Sequence, residues 1–325
     1  MKLTRTISTV GVHCAGEVGD AIVGGVLNPP RCKTMYEKPL YFQNEADDIR
    51  KLPMNEPRGR PAMRMNLILP PTMLLDTGTV KITEPVTKLN LNTPASLVSV
   101  TADCEDGKCK AVAFNDVPAS VYKLGLPVDV PGMGVTSVDI AWSGMHYAIV
   151  DARSVGLEIK NANGPKLIEI GEKIKQATGN TYIPVHPGND KIRGVTTVEL
   201  TEPIRQALDS TKTAVNTVVV SPGRFDRCPC GTGSCARLAV LHARGQLQVG
   251  EKLVHQSIIG STFDCHIRGT TTVGGLKTVL PTAKGSAWIT GFKHMSLDPS
   301  DPFPTGFRVG YQWHMPEPSG ERVLE

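Results

Sequence analysis

Apolar and polar residues alternate along much of this chain in short runs, most of them closed by Gly, Pro, Asn or Asp. The runs AIVGGVL, RMNLILP, KLNLNTPASLVSVTADC, KAVAFNDV, TSVDIAW, YAIVDA, NTVVVSP and TTTVGG carry the β-type pattern of strands at hairpin spacing. Two stretches instead repeat their apolar positions three and four apart, as amphipathic helices do: LIEIGEKIKQATG at 167–179 and GSCARLAVLHARG at 233–245, the latter ended by Gly245. The pattern predicts a strand-rich α+β chain with few long helices, not a succession of βαβ units. ARLAVLHARGQLQVG (236–250) and TMLLDTGTVKITEP (72–85) share one outline, a helix tail, a Gly and then a β run. So short an echo arises by accident about as often as by duplication, but it suggests two lobes of related design.

Length and composition narrow the class. At 325 residues the chain exceeds the usual single core, so two domains are expected. Hydrophobic content of 40% and charged content of 20% describe a globular chain, neither disordered nor fibrous. The net charge of +4 is dispersed and aromatics are few, so nucleic acid is not an expected partner. No apolar segment approaches the roughly 20 residues of a bilayer span. Lys2, Arg5, His13 and Glu17 break up the first residues, so no secretory signal is expected and the expected location is cytoplasmic. The eight cysteines should then be mostly reduced. Cys104 and Cys109 flank the turn EDGK and could join as a cross-strand disulfide in an oxidising compartment.

The candidate chemistry lies in DRCPCGTGSC, 226–235. Pro229 fixes the approach to a helix, Gly231 and Gly233 remove side-chain bulk, and the first-turn amides are unpaired donors that suit an anion. The same field should stabilise a thiolate at Cys230, making it a base or nucleophile near neutral pH. Asp226 could receive a substrate ammonium. An anion site, an acid and a thiol together suit an amino acid attacked at the carbon between its charges. Cys235 reads as a core residue. Cys228, Cys230 and Cys235 lack a paired CxxC, so zinc is the minor reading, and without GxGxxG or a Walker lysine neither is a nucleotide expected. His13 and Cys14 read as a strand end and turn near the cleft. His146 is a candidate to line the substrate pocket, a satisfied strand histidine being the alternative. Arg224 and Arg227 either favour the thiolate or are solvated, and LDPSDPFPTGF reads as a structured loop.

The segments HCAGEVGDAIVGG, NEPRG (55–59), LLDTG (74–78), EPVTKLNL (84–91), YAIVDA (147–152), DRCPCGTGSCARLAVLHARG, GSAWITG and LDPSDPFPTGF follow one another in an order that resembles the proline racemase family. That family includes hydroxyproline 2-epimerases and trans-3-hydroxy-L-proline dehydratases, and the resemblance covers almost the whole chain. It implies a fold similar to diaminopimelate epimerase, α+β, with two similar lobes, each a central helix wrapped by a curved, mostly antiparallel sheet. The lobes are expected at 1–145 with 296–325, and at 146–295. The resemblance implies proline or a hydroxyproline held between two helix N-termini, no metal or other cofactor, and one acid/base residue from each lobe facing each side of Cα. Cys230 falls on the second-lobe position. Asp226, Gly231 and Thr232 fall on positions that hold substrate. The expected partner is that small amino acid, with a homodimer as the candidate assembly and no membrane.

Two departures bear on the reaction. The family carries a GHGT or SGSN segment between LILPP and LLDTG, whereas here Pro71 runs directly into Thr72 and Met73. The residue expected opposite Cys230 is therefore missing. Because loss of a buried strand and half a central helix should be strongly destabilising, the expectation is an omitted segment that forms a mobile lid. A truncated, non-catalytic amino-acid binder is the alternative. The opening HCAGEVGD resembles the dehydratase branch, whose members commonly carry Thr at the position of Cys230. Since a dehydratase needs one base and a racemase two, Cys230 favours the racemase or 2-epimerase over the dehydratase.

Overall fold

A computed structural model describes residues 3, 5–30, 32–35, 37–59, 65–66, 71–93, 97–221 and 223–307. At its centre eight strands close into a barrel around one helix. In order around the barrel they are Thr262–Val273, Lys252–Gln256, Lys212–Val220, Thr197–Thr201, His146–Asp151, Gly134–Trp142, Ala119–Val130 and Leu276–Gly285, the last pairing back onto the first. Two of these contacts are parallel and the rest antiparallel. The enclosed helix buries Cys235, Ala236, Leu238, Ala239, Val240 and Leu241, and a helix apolar on nearly every side has to be surrounded.

Five helices are described: α1 (Glu37–Asn44), α2 (Asp47–Met54), α3 (Pro71–Asp76), α4 (Gly164–Thr181) and the barrel's α5 (Gly231–Ala243). The period of two in YAIVDA places α4 and α5 on opposite faces of the same strands. Ala148 and Val150 pack with Leu167, Ile170 and Ile174 of α4, while Tyr147 and Ile149 pack with Ala236 and Val240 of α5.

The far end of Leu276–Gly285 also pairs with Lys108–Asn115, which continues into Leu97–Glu105 and Val86–Asn92. A separate sheet joins Ala287–Leu297, Arg5–Cys14, Glu17–Gly24 and Met65–Asn66. Short α3 lies between these sheets: Met73 packs with Val10, Val12 and Ala21, and Leu75 with Ala102, Cys104 and Cys109. The fold is thus two curved, mostly antiparallel lobes, each around a central helix, with the first-lobe helix cut to six residues.

The predicted helices at 167–179 and 233–245 correspond to α4 and α5, each beginning earlier than periodicity indicates. Helices α1 and α2 and the strand Arg5–Cys14 went unanticipated. Of RMNLILP, all but Met65–Asn66 lies outside the described residues. Pro71 and Thr72, between which the omitted segment is expected, open helix α3. A boundary after residue 145 would fall in the turn of the hairpin Gly134–Trp142/His146–Asp151, and Ala287–Leu297 pairs with Arg5–Cys14. Cys104 stands opposite Cys109 across a turn at Asp106 and Gly107, both with positive φ, and both thiols are free. The NEPRG segment anchors the LDPSDPFPTGF loop, Asn55 donating to the Thr305 carbonyl at 3.0 Å and Arg58 to that of Ser296 at 3.1 Å.

Gly171 marks where α4 presses on the barrel. A Cβ there would lie 2.7 Å from Val219 Cγ2 and 2.9 Å from its Cβ, a stiff β-branched neighbour. Gly171→Ala, which in an open helix would stabilise, should here destabilise by about 1–3 kcal/mol through overpacking. Urea denaturation checks this; a raised midpoint would contradict the close contact.

Candidate active site

Cys230 caps the N-terminus of α5 with φ 62° and ψ 116°, a conformation that side-chain-bearing residues avoid. The surroundings impose it. The Pro229 carbonyl accepts from Asn216 Nδ2 at 2.7 Å and from Ser234 Oγ at 3.1 Å. The Cys230 amide donates to Cys228 Sγ at 3.3 Å, and the Ser234 amide donates to the Cys230 carbonyl at 2.9 Å. Cys228 therefore shapes the turn. The glycines of CGTG answer to close approach: a Cβ on Gly233 would stand 3.2 Å from Cys230 Sγ, and one on Gly231 2.7 Å from Phe114 Cζ.

The sulfur itself does not protrude as the sequence led us to expect. Cys230 is 6% exposed and packs with Ala141, Ile149, Val218, Ala236 and Val240. Its polar neighbours are Tyr147 Oη at 3.5 Å and Thr232 Oγ1 at 3.9 Å, which are hydrogen-bonded to each other at 2.6 Å. Burial, then the charge of Asp226 and the neighbouring Cys228, push the Cys230 thiol well up; the Tyr147 hydroxyl and the Gly233 amide pull the other way and lose. The expected low-pKa thiolate is overturned for the free protein, because desolvation outweighs the helix field. Asp226 is buried, its amide donating to the Val218 carbonyl at 3.0 Å.

Below α5 lies a buried polar layer. Asn216 Nδ2 also donates to Glu199 Oε1 at 2.8 Å, and Ser234 Oγ lies 2.8 Å from His255 Nδ1. Burial raises Glu199 to about 8 against the opposing charge of Arg237, and burial followed by Arg237 lowers His255 to about 3.

Between the lobes is a cavity of about 890 Å³. Pro71 and Thr72 at the start of α3 and Thr232 at the start of α5 all line it, so the two helix starts face one space. Cys14, Asp116, Trp142 and His186 also contribute. Of the anticipated substrate residues, Thr232 meets the cavity, whereas Cys230, Asp226 and Gly231 stand behind its wall. His146 is corrected: it is 1% exposed, and its ring packs 4.6 Å from that of Trp142, which takes the lining place expected of it. Burial, reinforced by His186, lowers His146 to about 4 and keeps it neutral. His13 accepts the Gly16 amide at 3.2 Å and stacks on Trp288 at 4.9 Å, a turn residue as read.

Glu17, in the HCAGEVGD segment, joins the lobes next to the site. Its carboxylate accepts from Arg224 Nη1 at 3.1 Å and from the Arg227 amide at 2.8 Å. The two arginines are therefore engaged across the lobe boundary, and neither is simply solvated.

The proline racemase family model matches residues 9–73 and 71–308. The chain belongs to the proline racemase family. The matched pieces meet at 71–73, so this family member departs from the common pattern at the start of α3. A hydroxyproline epimerase from Agrobacterium vitis, solved with bound trans-4-hydroxy-L-proline, is 33% identical and superposes with a TM-score of 0.87, covering 95% of this chain and 96% of that one. A probable proline racemase from Agrobacterium radiobacter K84, solved with bound carbonate, is 34% identical with a TM-score of 0.85, covering 93% and 96%. A Bacillus anthracis phenazine biosynthesis protein of the PhzF family, 10% identical with a TM-score of 0.50 over 90% and 99%, shares the fold alone.

Sequence reasoning missed Tyr147, Asn216, Glu199, Asp116 and Trp142. The alternation in YAIVDA puts Tyr147 on one face with Ile149 and could have flagged a buried hydroxyl. Asn216 and Glu199 sit inside apolar runs on neighbouring strands, an oddity that signals a buried polar pair.

Glu199 has a raised folded-state pKa, so it contributes stability that is full below about pH 4.5 and is lost as pH climbs toward about 8. Glu199→Gln keeps a neutral amide in place and should flatten the fall in urea midpoint between pH 5 and pH 8, with the gain over wild type largest at pH 8. Parallel profiles for the two proteins would show that Glu199 does not stay protonated in the fold.

Proposed function

We propose that this chain is an amino-acid racemase or epimerase that removes and returns the Cα proton of proline or a hydroxyproline, with Cys230 as an acid/base group. The observation that carries this reading is the position of Cys230: a strained cap at the start of α5, joined by the Tyr147 and Thr232 hydroxyls to a cavity between the lobes. The 33% and 34% identical relatives, one an epimerase solved with trans-4-hydroxy-L-proline, support it.

In this reading the substrate carboxylate meets the first-turn amides of α5 and the Thr232 hydroxyl, where partial positive charge collects. The substrate nitrogen is placed near Asp226, and the binding step changes the cysteine. A cationic nitrogen beside Asp226 offsets the charge that helps to hold the thiol protonated, so thiolate forms when substrate is present. Tyr147 then donates to the sulfur and accepts from Thr232. Negative charge moving from Cα into the carboxylate is stabilised by amides already aimed at it. On the first-lobe side the cavity offers the Thr72 hydroxyl and the Cys14 thiol. Burial, then Glu17, raise Cys14 to about 11, which suits a group that delivers a proton to the opposite face of Cα.

A second reading is dehydration of trans-3-hydroxy-L-proline. It is favoured by the hydroxyl of Thr72, not a thiol, at the start of α3, since elimination needs a base on one face only.

In deuterated water, L-proline or trans-4-hydroxy-L-proline should take up deuterium at Cα while optical rotation decays, and Cys230→Ser should slow exchange by about a hundredfold or more. Trans-3-hydroxy-L-proline with o-aminobenzaldehyde reports the dehydratase, which Cys230→Thr should abolish if Cys230 is its one base. A wild-type protein that neither exchanges Cα nor forms the imine would defeat both readings.

A further inference from the structure

We infer that the interlobe cavity accepts, beyond proline and hydroxyproline, a proline-type amino acid whose ring carries, or is fused to, a further apolar group. This deepens the reading above and rests on it for the placement of the carboxylate. Three observations support the inference.

The first is size. At about 890 Å³ the cavity lies near the upper end of the roughly 300–1,000 Å³ range of pockets that enclose drug-sized ligands. A bare pyrrolidine would leave most of its wall facing water.

The second is polarity and where it changes. The first-lobe wall is one apolar face of the strands Val86–Asn92, Leu97–Glu105 and Lys108–Asn115, on which Leu91 stands opposite Val98 and Val100 opposite Phe114. The described residues around the cavity include no Lys or Arg, and Asp116 is the one carboxylate among them; it accepts from Ser143 Oγ at 2.6 Å and burial raises its pKa. Thr232 and His186 give the second-lobe side its polar groups, and on the first-lobe side Cys14, Thr72 and Thr93 lie beside the apolar strand face. Phe114 is the border, because its ring lies against Gly231 at the start of α5. A ligand held by its carboxylate at α5 therefore extends past Phe114 onto a surface that rewards apolar contact.

The third is where this chain differs from its family. The two matched pieces meet at 71–73, and Pro71 and Thr72 line this same cavity. The departure from the family pattern thus falls on the wall that sets the size of the ligand.

Calorimetry with two planar carboxylates tests the inference. Pyrrole-2-carboxylate has one ring, and indole-2-carboxylate adds a fused benzene ring to the same N–H and carboxylate. The indole should bind at least about tenfold more tightly. Leu91→Trp, at a half-buried wall position, should remove at least that tenfold while leaving pyrrole-2-carboxylate within about twofold; Val112→Phe is the companion variant should the first fold poorly. Equal affinities for the two compounds, or an indole affinity unmoved by either folded variant, would overturn the size inference and leave the functional reading standing. Binding of neither compound would overturn both.

Discussion

The Pro229 carbonyl is the pivot of this molecule. Two buried donors, Asn216 Nδ2 and Ser234 Oγ, converge on one oxygen and hold the residue before Cys230 in place. Without them nothing would keep Cys230 at a positive φ that costs of order 1–3 kcal/mol. Each donor is tied down in turn, Asn216 by Glu199 and Ser234 by His255. Burial holds both of these titratable groups neutral at ordinary pH, Glu199 protonated and His255 unprotonated. The clamp is thus a chain of hydrogen bonds beneath a helix, strengthened by the low-dielectric interior, although Glu199 Oε2, Asn216 Oδ1 and His255 Nε2 in it have no hydrogen-bond partner among the described residues.

That clamp sets the sulfur, and the glycines let it come close. Gly233 leaves room for Sγ against the helix and Gly231 leaves room for Phe114. The consequence is a thiol packed among aliphatic groups and linked to the cavity by two hydroxyls, held protonated by desolvation and by Asp226. In the function proposed above, a cation arriving beside Asp226 changes the proton affinity of that thiol and so couples binding to the chemistry. Glu17 fastens the segment ahead of Cys230 to the other lobe through Arg224 and the Arg227 amide.

How much of this was legible along the chain varies by element. The helix at 233–245 and its glycine-rich entry were plain, because an apolar 3.6-residue period and the CGTG spacing are local signals. Half of the barrel strands were visible as alternation: Gly134–Trp142, His146–Asp151, Lys212–Val220 and Thr262–Val273. The strand Arg5–Cys14 was hidden, since its Gly11 and His13 blur the pattern, and α2 was hidden by a polar helix ending at Pro53–Met54. Within the site, Cys230, Asp226, Gly231 and Thr232 lie together at or just before one helix start, as their adjacency along the chain dictates, whereas His146 was placed in a pocket that it only backs.

The sequence by itself determined the strand-rich class, the two-lobe likeness, the family and the loop that bears the cysteine, because each is written in short-range periodicity and in motifs read in order. Only the tertiary structure decided that the thiol is sealed and protonated, that Tyr147 and Asn216 serve it, that Glu17 spans the lobes, and that Pro71 runs unbroken into a six-residue helix beside a wide apolar cavity. Desolvation and hydrogen bonding depend on which distant residues close around a group, here Glu17 with Arg224 and Tyr147 with Cys230, and no local pattern along the chain encodes those meetings.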